Sequence, residues 1–261
     1  MVTDLYRLKS YLRKQVAPDR PVVSAWSGGV DSTVVAVVAN MLFPDRFLAV
    51  TVDSELVTRA AIQSTRLLAA ELSLPHRVEP LALLTDAVIR SNGRDRCYCC
   101  KLAILRCLQQ GEYELRSEEG CVVLDGTNAS DDPARPGMRA LAETGAISPL
   151  RACGLDKRQI RRLARELRLP NAELPSNSCL ATRIRGRDLT QPILEYIEDL
   201  EGFLCEIGLF DVRARCDDLK VIVEVPRGCG QILERNHERI KDRVDQLGWT
   251  LAGYGFRPSE D

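Results

Sequence analysis

The sequence predicts an α/β fold: a parallel sheet with helices on both faces, followed by a small C-terminal α+β domain. Three observations carry this. Strand-length apolar runs alternate with helix-period segments through the first two thirds of the 261 residues. Asp31, Asp53 and Asp125 fall at the carboxyl ends of such runs, where ligands sit in open parallel sheets. Past Pro175 the order changes to helix, strand, strand, helix, strand, which does not extend the first sheet. Domains of residues 1–175 and 176–261 are therefore expected.

From the amino end, Leu5, Leu8, Leu12 and Val16 recur at helical spacing within Thr3 to Ala17, before a strand from Pro21 to Trp26. A Gly-Gly turn then opens a helix carrying the apolar segment Val34 to Leu42. Phe47 to Val52 reads as the second strand, ending at Asp53-Ser54-Glu55, with a long helix from Glu55 to Leu72. His76 to Leu81 is the third strand, followed by helices over Leu83 to Ser91 and Lys101 to Gln110. Cys121 to Leu124 is the fourth, ending in Asp125-Gly126-Thr127-Asn128. In the last third, a helix covers Pro192 to Glu206, and strands Asp211 to Cys216 and Leu219 to Val225 flank the turn Asp217-Asp218. A helix from Gly230 to Leu247 and a strand from Trp249 to Tyr254 complete it.

A body of this length buries about 70–75% of its unfolded surface, so its core needs no staples. Ten cysteines would suit disulfides in a secreted chain, yet Met1 to Arg20 shows no charged-then-apolar leader, and no apolar run reaches membrane-spanning length. Reduced thiols and a cytoplasmic location are expected, with no membrane partner. The net charge of −1 argues against a broad nucleic-acid footprint.

The loop Ser27-Gly28-Gly29-Val30-Asp31-Ser32 lies between a strand and a helix. Two glycines let backbone N–H groups converge on an anion, Ser27, Ser32 and Thr33 add hydroxyls, and the helix N-terminus adds its positive end. No Gly-Lys-Ser/Thr ending follows, so no lysine of the loop points at terminal phosphates; Asp31 suits a magnesium ion bridging a pyrophosphate. The loop resembles the PP-loop of ATP pyrophosphatases. A purely structural Gly-Gly turn is the plain alternative.

Cys97 and Cys100 form a C-x-x-C pair ahead of a helix, and Cys179 stands alone at the domain junction. Two thiolates three apart plus a remote one can hold three irons of a [4Fe–4S] cluster, or zinc with a fourth ligand, or remain a dithiol. His76 and His237 lie near neither motif, and most of the scattered cysteines read as small buried hydrophobes. Arg213 and Arg215 alternate on one strand face, and Arg257 follows the last strand. Three guanidiniums could grip a phosphate, or simply sit at the surface.

Taken with Arg96-Cys97-Tyr98-Cys99-Cys100-Lys101, Asp125-Gly126-Thr127-Asn128, Arg135-Pro136-Gly137-Met138-Arg139, Ser148-Pro149-Leu150 and Cys179-Leu180-Ala181-Thr182-Arg183-Ile184, the chain resembles the LarE-type sulfur transferases of nickel-pincer nucleotide biosynthesis. Arg185-Gly186-Arg187 stands where that family has Pro-Tyr-Gly. The resemblance implies adenylation of a pyridinium mononucleotide carboxylate with ATP and Mg2+, then sulfur delivery, in a homo-oligomer. It assigns the phosphates and magnesium to Ser27, Gly28, Gly29, Asp31, Ser32 and Thr33, and the adenosine to Asp53, Ser54 and Gly126. Lys101 and Arg183 would offset charge at the reacting groups, and Arg213, Arg215 and Arg257 would grip the substrate phosphate, with Glu224 orienting them. Cys97, Cys100 and Cys179 together resemble the branch that carries a [4Fe–4S] cluster, while a sacrificial Cys179 is the other strategy. The rival readings are a PP-loop tRNA thiolase and a nucleotide sensor without turnover.

Overall fold

A computed structural model describes residues 3–111, 113, 120–175 and 178–257. The junction residues Ser176 and Asn177 lie outside the described residues. Helix α1 (Asp4–Gln15) starts where the Thr3 hydroxyl accepts from Tyr6 N at 3.2 Å, and leads to β1 (Val22–Ala25) and α2 (Val30–Leu42). β2 (Phe47–Asp53), α3 (Arg59–Glu71) and β3 (His76–Pro80) follow, then α4 (Ala87–Arg90), α5 (Arg96–Gln110) and β4 (Val122–Leu124). Three helices come next: α6 (Gly137–Thr144), α7 (Pro149–Ala152) and α8 (Lys157–Glu166). The remainder is β5 (Ile184–Arg185), α9 (Gln191–Glu206), β6 (Arg213–Asp217), β7 (Lys220–Pro226), α10 (Gly230–Gln246) and β8 (Thr250–Arg257).

Three expected helices differ. The one expected over Lys101 to Gln110 begins five residues earlier, at Arg96, so Cys97 and Cys100 lie within it rather than ahead of it. The one expected from Glu55 begins only at Arg59. The one expected over Leu83 to Ser91 is divided, because Asp86 accepts from Val88 N (2.7 Å) and Ile89 N (3.2 Å) and starts α4 after a 3-10 turn at Leu83–Thr85. α6, α7 and α8 have no counterpart in the sequence reading.

The first sheet has the order β3-β2-β1-β4, all parallel, with Val22 of β1 opposite Phe47 on one side and Val122 on the other. The chain leaves β1 toward β2 and later arrives at β4 on the opposite flank, so the strand order reverses at the carboxyl end of β1. Alternation along β1 feeds two cores. Val22 belongs to a cluster with Leu8, Leu12, Val34, Val38, Ile160 and Leu163, and Val23 to one with Val50, Leu105, Leu108, Val123 and Leu141. Helices α1, α2 and α8 thus cover one face, α5 and α6 the other.

The second sheet has the order β5-β6-β7-β8, parallel at both flanks and antiparallel between β6 and β7. Ala214, Cys216, Val221, Val223 and Val225 are buried, and Arg213, Arg215, Ile222 and Glu224 alternate onto the other face. Two compact units result. One gathers the described residues of Met1–Ser54, Arg59–Leu83 and Arg94–Ser176; the other those of Glu55–Thr58, Leu84–Gly93 and Asn177–Asp261. The early segments join the second unit through backbone: Leu180 N donates to Leu56 O (3.0 Å) and Leu189 N to Arg90 O (2.7 Å).

Candidate active site

The loop after β1 sits at the strand-order reversal and is held from several sides. Gly28 has φ +76°, a conformation that favours glycine, and a Cβ there would stand 3.0 Å from Thr65 Cγ2. Asn171 Nδ2 donates to Gly28 O (2.8 Å) and Thr33 Oγ1 (2.9 Å), and Trp26 Nε1 donates to the same Thr33 oxygen (3.0 Å). The Thr33 hydroxyl in turn donates to Gly29 O (2.9 Å), so this fully buried group is spent inside the protein. The Thr33 side chain thus shapes the loop. Ser32 Oγ donates to Gly29 O (3.0 Å) and lies 3.2 Å from Ser27 Oγ, which also accepts from Gly29 N (3.4 Å). Gly29 caps α2 without a side chain, leaving the first-turn N–H groups for an anion.

Gly126, at the end of β4, packs on the start of α2 rather than standing clear as an adenosine contact. A Cβ there would lie 2.9 Å from Ser32 N and 3.0 Å from its Cα. This close approach brings Asn128 to Asp31, with Nδ2 donating to Oδ2 at 3.1 Å. The same oxygen accepts from Lys157 Nζ at the start of α8. Among the described residues Asp31 Oδ1 is buried and has no hydrogen-bond partner. A carboxylate with one unpartnered oxygen beside an anion-binding loop fits magnesium, which takes one or two carboxylates and completes its shell with phosphates and water.

Asp125 is 1% exposed and accepts four hydrogen bonds: from Lys101 Nζ (2.5 Å), Thr127 Oγ1 (2.6 Å), Ser148 Oγ (2.5 Å) and Thr127 N (3.2 Å). Lys101 is thereby tied to the end of β4. Asp53, expected at the adenosine, is held by Arg59 at 2.6 and 2.9 Å, and Arg59 also donates to Ser54 O (3.2 Å). Cys97 and Cys100 lie three apart on the first turn of α5, Cys97 exposed and Cys100 half-buried. Helix α6 braces that turn: Tyr98 Oη donates to Glu143 Oε2 (2.8 Å), and the Arg139 guanidinium lies 4.2 Å from the Tyr98 ring centre.

In the second unit Cys179 is exposed, and the segment after it is anchored by Arg183. Arg183 is 3% exposed and donates to Glu201 (Nε to Oε1 3.0 Å, Nη2 to Oε2 3.3 Å), to Ser178 O (2.7 Å) and Oγ (2.6 Å), and to Thr182 Oγ1 (3.2 Å). Its guanidinium is paired with Glu201 and holds the Ser178 to Thr182 segment. Arg215 donates to Glu224 Oε2 (2.9 Å) and to Thr182 O (2.6 Å), so Glu224 is the orienting carboxylate expected. Arg257 pairs with Asp211. Burial, then the charges of Arg257, Arg183 and Arg215, depress the Arg213 pKa.

All ten cysteines are free of disulfides. Burial pushes the Cys107, Cys121, Cys153 and Cys205 thiols up, and that of Cys216 to about 11, which suits packing groups rather than nucleophiles. Within either unit, no three His, Cys, Asp or Glu side chains gather among the described residues at a spacing that could hold a metal ion. Asn128, Lys157, Asn171 and Glu201 are site residues that the sequence reading did not single out.

A glycine loop between a central parallel strand and its helix, with an aspartate beside the anion position, defines a PP-loop nucleotide-binding enzyme. A sequence profile of the NAD synthase family matches residues 3–103. The pyridinium-3,5-bisthiocarboxylic acid mononucleotide synthase of Lactiplantibacillus plantarum is 32% identical over 244 residues, 90% of this chain and 87% of that one. An uncharacterised Synechocystis protein is 30% identical over 91% of this chain and 86% of its own. Another, from Methanocaldococcus jannaschii, is 26% identical over 97% and 93%. The chain belongs to the LarE-type family of ATP-using sulfurtransferases.

Proposed function

We propose that this enzyme adenylates a carboxylate of pyridinium-3,5-biscarboxylic acid mononucleotide and converts it to a thiocarboxylate. The observation that carries the reading is likeness along nine tenths of the chain to the synthase of the bisthiocarboxylic product. In the first step a carboxylate oxygen attacks the α-phosphorus of ATP and pyrophosphate leaves; in the second a sulfur nucleophile attacks the acyl carbon and AMP leaves. The loop from Ser27 to Ser32 would bind the phosphates, and Lys101, held by Asp125, would face the developing charge. Asp31 would hold Mg2+, whose charge would offset that of the pyrophosphate. Arg213, with Arg215 and Arg257, would bind the substrate phosphate, since guanidiniums match phosphate oxygens bidentately. The adenosine is assigned to the Asp53-Ser54 turn.

For the sulfur step, Cys97 and Cys100, three apart on one helical turn, would take two positions of a three-thiolate set, and the likeness to the family would give Cys179 the third. A [4Fe–4S] cluster bound so would leave one iron open to a sulfide. Residues 1–175 would serve as the ATP pyrophosphatase domain and 176–261 as the substrate domain, in a cytoplasmic homo-oligomer without nucleic-acid or membrane partners. No helix among the described residues is long and apolar enough to cross a membrane.

The test is pyrophosphate release from ATP and Mg2+ with and without the pyridinium mononucleotide, on protein purified without oxygen and assayed for iron. Release that depends on the mononucleotide supports the reading. Release stimulated instead by tRNA, or none with any acceptor, rejects it.

A further inference from the structure

We propose that the open face of the second sheet is a shelf for the flat pyridinium ring of the mononucleotide, with Ile222 as its floor and Gly253 and Gly255 as the clearance beside it. This rests on the reading of Arg213 and Arg215 as the grip on the substrate phosphate. Strand register lays the face out in rows. Arg215 of β6 lies opposite Ile222 of β7, which lies opposite Gly253 of β8; in the next row Arg213 lies opposite Glu224, and Glu224 opposite Gly255. Ile222 is 43% exposed. A single exposed isoleucine is ordinary, but two glycines beside it in a strand, where glycine weakens the sheet, mark a place where something approaches closely.

The backbone keeps the shelf bare. Gly253 has φ +148°, where a side chain would be strained, and nothing among the described residues stands within 4 Å of a Cβ built there. Leu251 pairs with Val221 and Gly253 with Ile222, so Ala252 is the extra residue of a bulge, a device that often lies beside a site. A Cβ on Gly255 would stand 3.4 Å from Glu224 Cγ and 3.7 Å from Ile222 Cγ2, so a side chain there would cover the floor. Charge divides the face in the same sense. Guanidiniums on β6 suit a phosphate, while the Glu224 carboxylate, held by Arg215 Nε at 2.9 Å, borders the shelf and suits a positive ring. From β6 to β8 is two strand spacings, about 10 Å, on the order of the span from the phosphorus of a mononucleotide to its base.

Calorimetric binding of pyridinium-3,5-biscarboxylic acid mononucleotide and of ribose 5-phosphate to wild type, Gly255→Val, Ile222→Ala and Arg215→Ala tests this. Wild type should hold the mononucleotide roughly 10-fold or more tighter than the sugar phosphate, as burial of one ring face predicts. Gly255 lacks a positive φ, so valine fits the strand there; it should bring the two affinities within roughly threefold, with that for ribose 5-phosphate little changed. Ile222→Ala, a truncation at an exposed position, should lose part of the same difference. Discrimination that is unchanged in both variants, or an equal loss of both ligands, overturns the shelf alone. Discrimination kept in Gly255→Val together with a changed oligomeric state in light scattering overturns it too, and gives the face to a second copy of the chain. Ribose 5-phosphate binding that Arg215→Ala leaves untouched would overturn the phosphate reading and the shelf with it. Wild type that binds neither ligand would also overturn both.

Discussion

Replacing Arg183 by alanine separates a clamp from a catalyst. Its guanidinium is buried and holds Glu201 in a two-pronged pair while three further donor contacts secure Ser178 and Thr182. Removing one partner of a buried ion pair costs about 3–5 kcal/mol. Here the lower end applies, because Glu201 keeps the Ala214 N–H at 2.9 Å and is itself partly solvated. With a urea slope of about 2–3 kcal/mol/M, a loss of about 3 kcal/mol moves the unfolding transition down by about 1–1.5 M. Circular dichroism should record that shift in the second unit's transition, and iodoacetamide should modify Cys179 faster as its segment loosens. The double variant Arg183→Met with Glu201→Leu should recover much of the midpoint, since neither charge is then stranded. Substrate-dependent pyrophosphate release should survive in folded Arg183→Ala protein, while sulfur transfer falls. An unchanged midpoint together with abolished pyrophosphate release would refute the reasoning and return Arg183 to the reacting groups.

Gly126→Ala would force a methyl against the backbone of Ser32, an overpacking that costs about 1–3 kcal/mol, and should weaken ATP binding in calorimetry more than it lowers the urea midpoint. Arg213→Ala and Arg215→Ala should each raise the KM for the mononucleotide roughly 10-fold or more with little change for ATP, as measured by pyrophosphate release. Alanine at Cys97, Cys100 or Cys179 should each remove most bound iron from anaerobically purified protein and stop sulfur transfer. A normal Cys97→Ala enzyme would instead leave Cys179 as a consumed donor, visible by mass spectrometry as loss of hydrogen sulfide. Burial, then the Arg66 charge, lowers the His76 pKa, so the native state keeps the ring neutral while the unfolded chain takes a proton near pH 6.5. Stability is therefore complete above that pH and declines as pH falls below it; His76→Gln should flatten part of the decline in urea midpoints between pH 7.5 and 5.5.

The strands and the loop were legible because both signals are local. An apolar run into Trp26-Ser27, followed by Gly28-Gly29, Asp31 and a helix-period segment, fits few other structures. Strand order was not legible: nothing near Val122 says that it pairs with Val22 rather than with β3. Asp86 shows how one capping residue divides a segment whose apolar spacing reads as continuous helix. Site residues divide along the same line. Asp31 stands in a local motif, whereas the hold of Asn171 on the Thr33 hydroxyl spans 138 residues and leaves no local signal. The pairing of Arg183 with Glu201 was not legible, because the sequence cannot tell an arginine that meets a ligand from one that meets a carboxylate.

The passage of the chain back and forth between the units sets an order of events during synthesis. Residues 55–58 and 84–93 emerge from the ribosome early, yet their backbone partners at Leu180 and Leu189 are made more than 90 residues later. Until then the nascent first unit must carry both segments unpaired, and the second unit cannot close as a simple downstream module. A fragment starting at residue 176 would lack the carbonyls of Leu56 and Arg90 that receive its own N–H groups. A gene fusion that moved that fragment alone would leave the Leu180 and Leu189 N–H groups without these carbonyls.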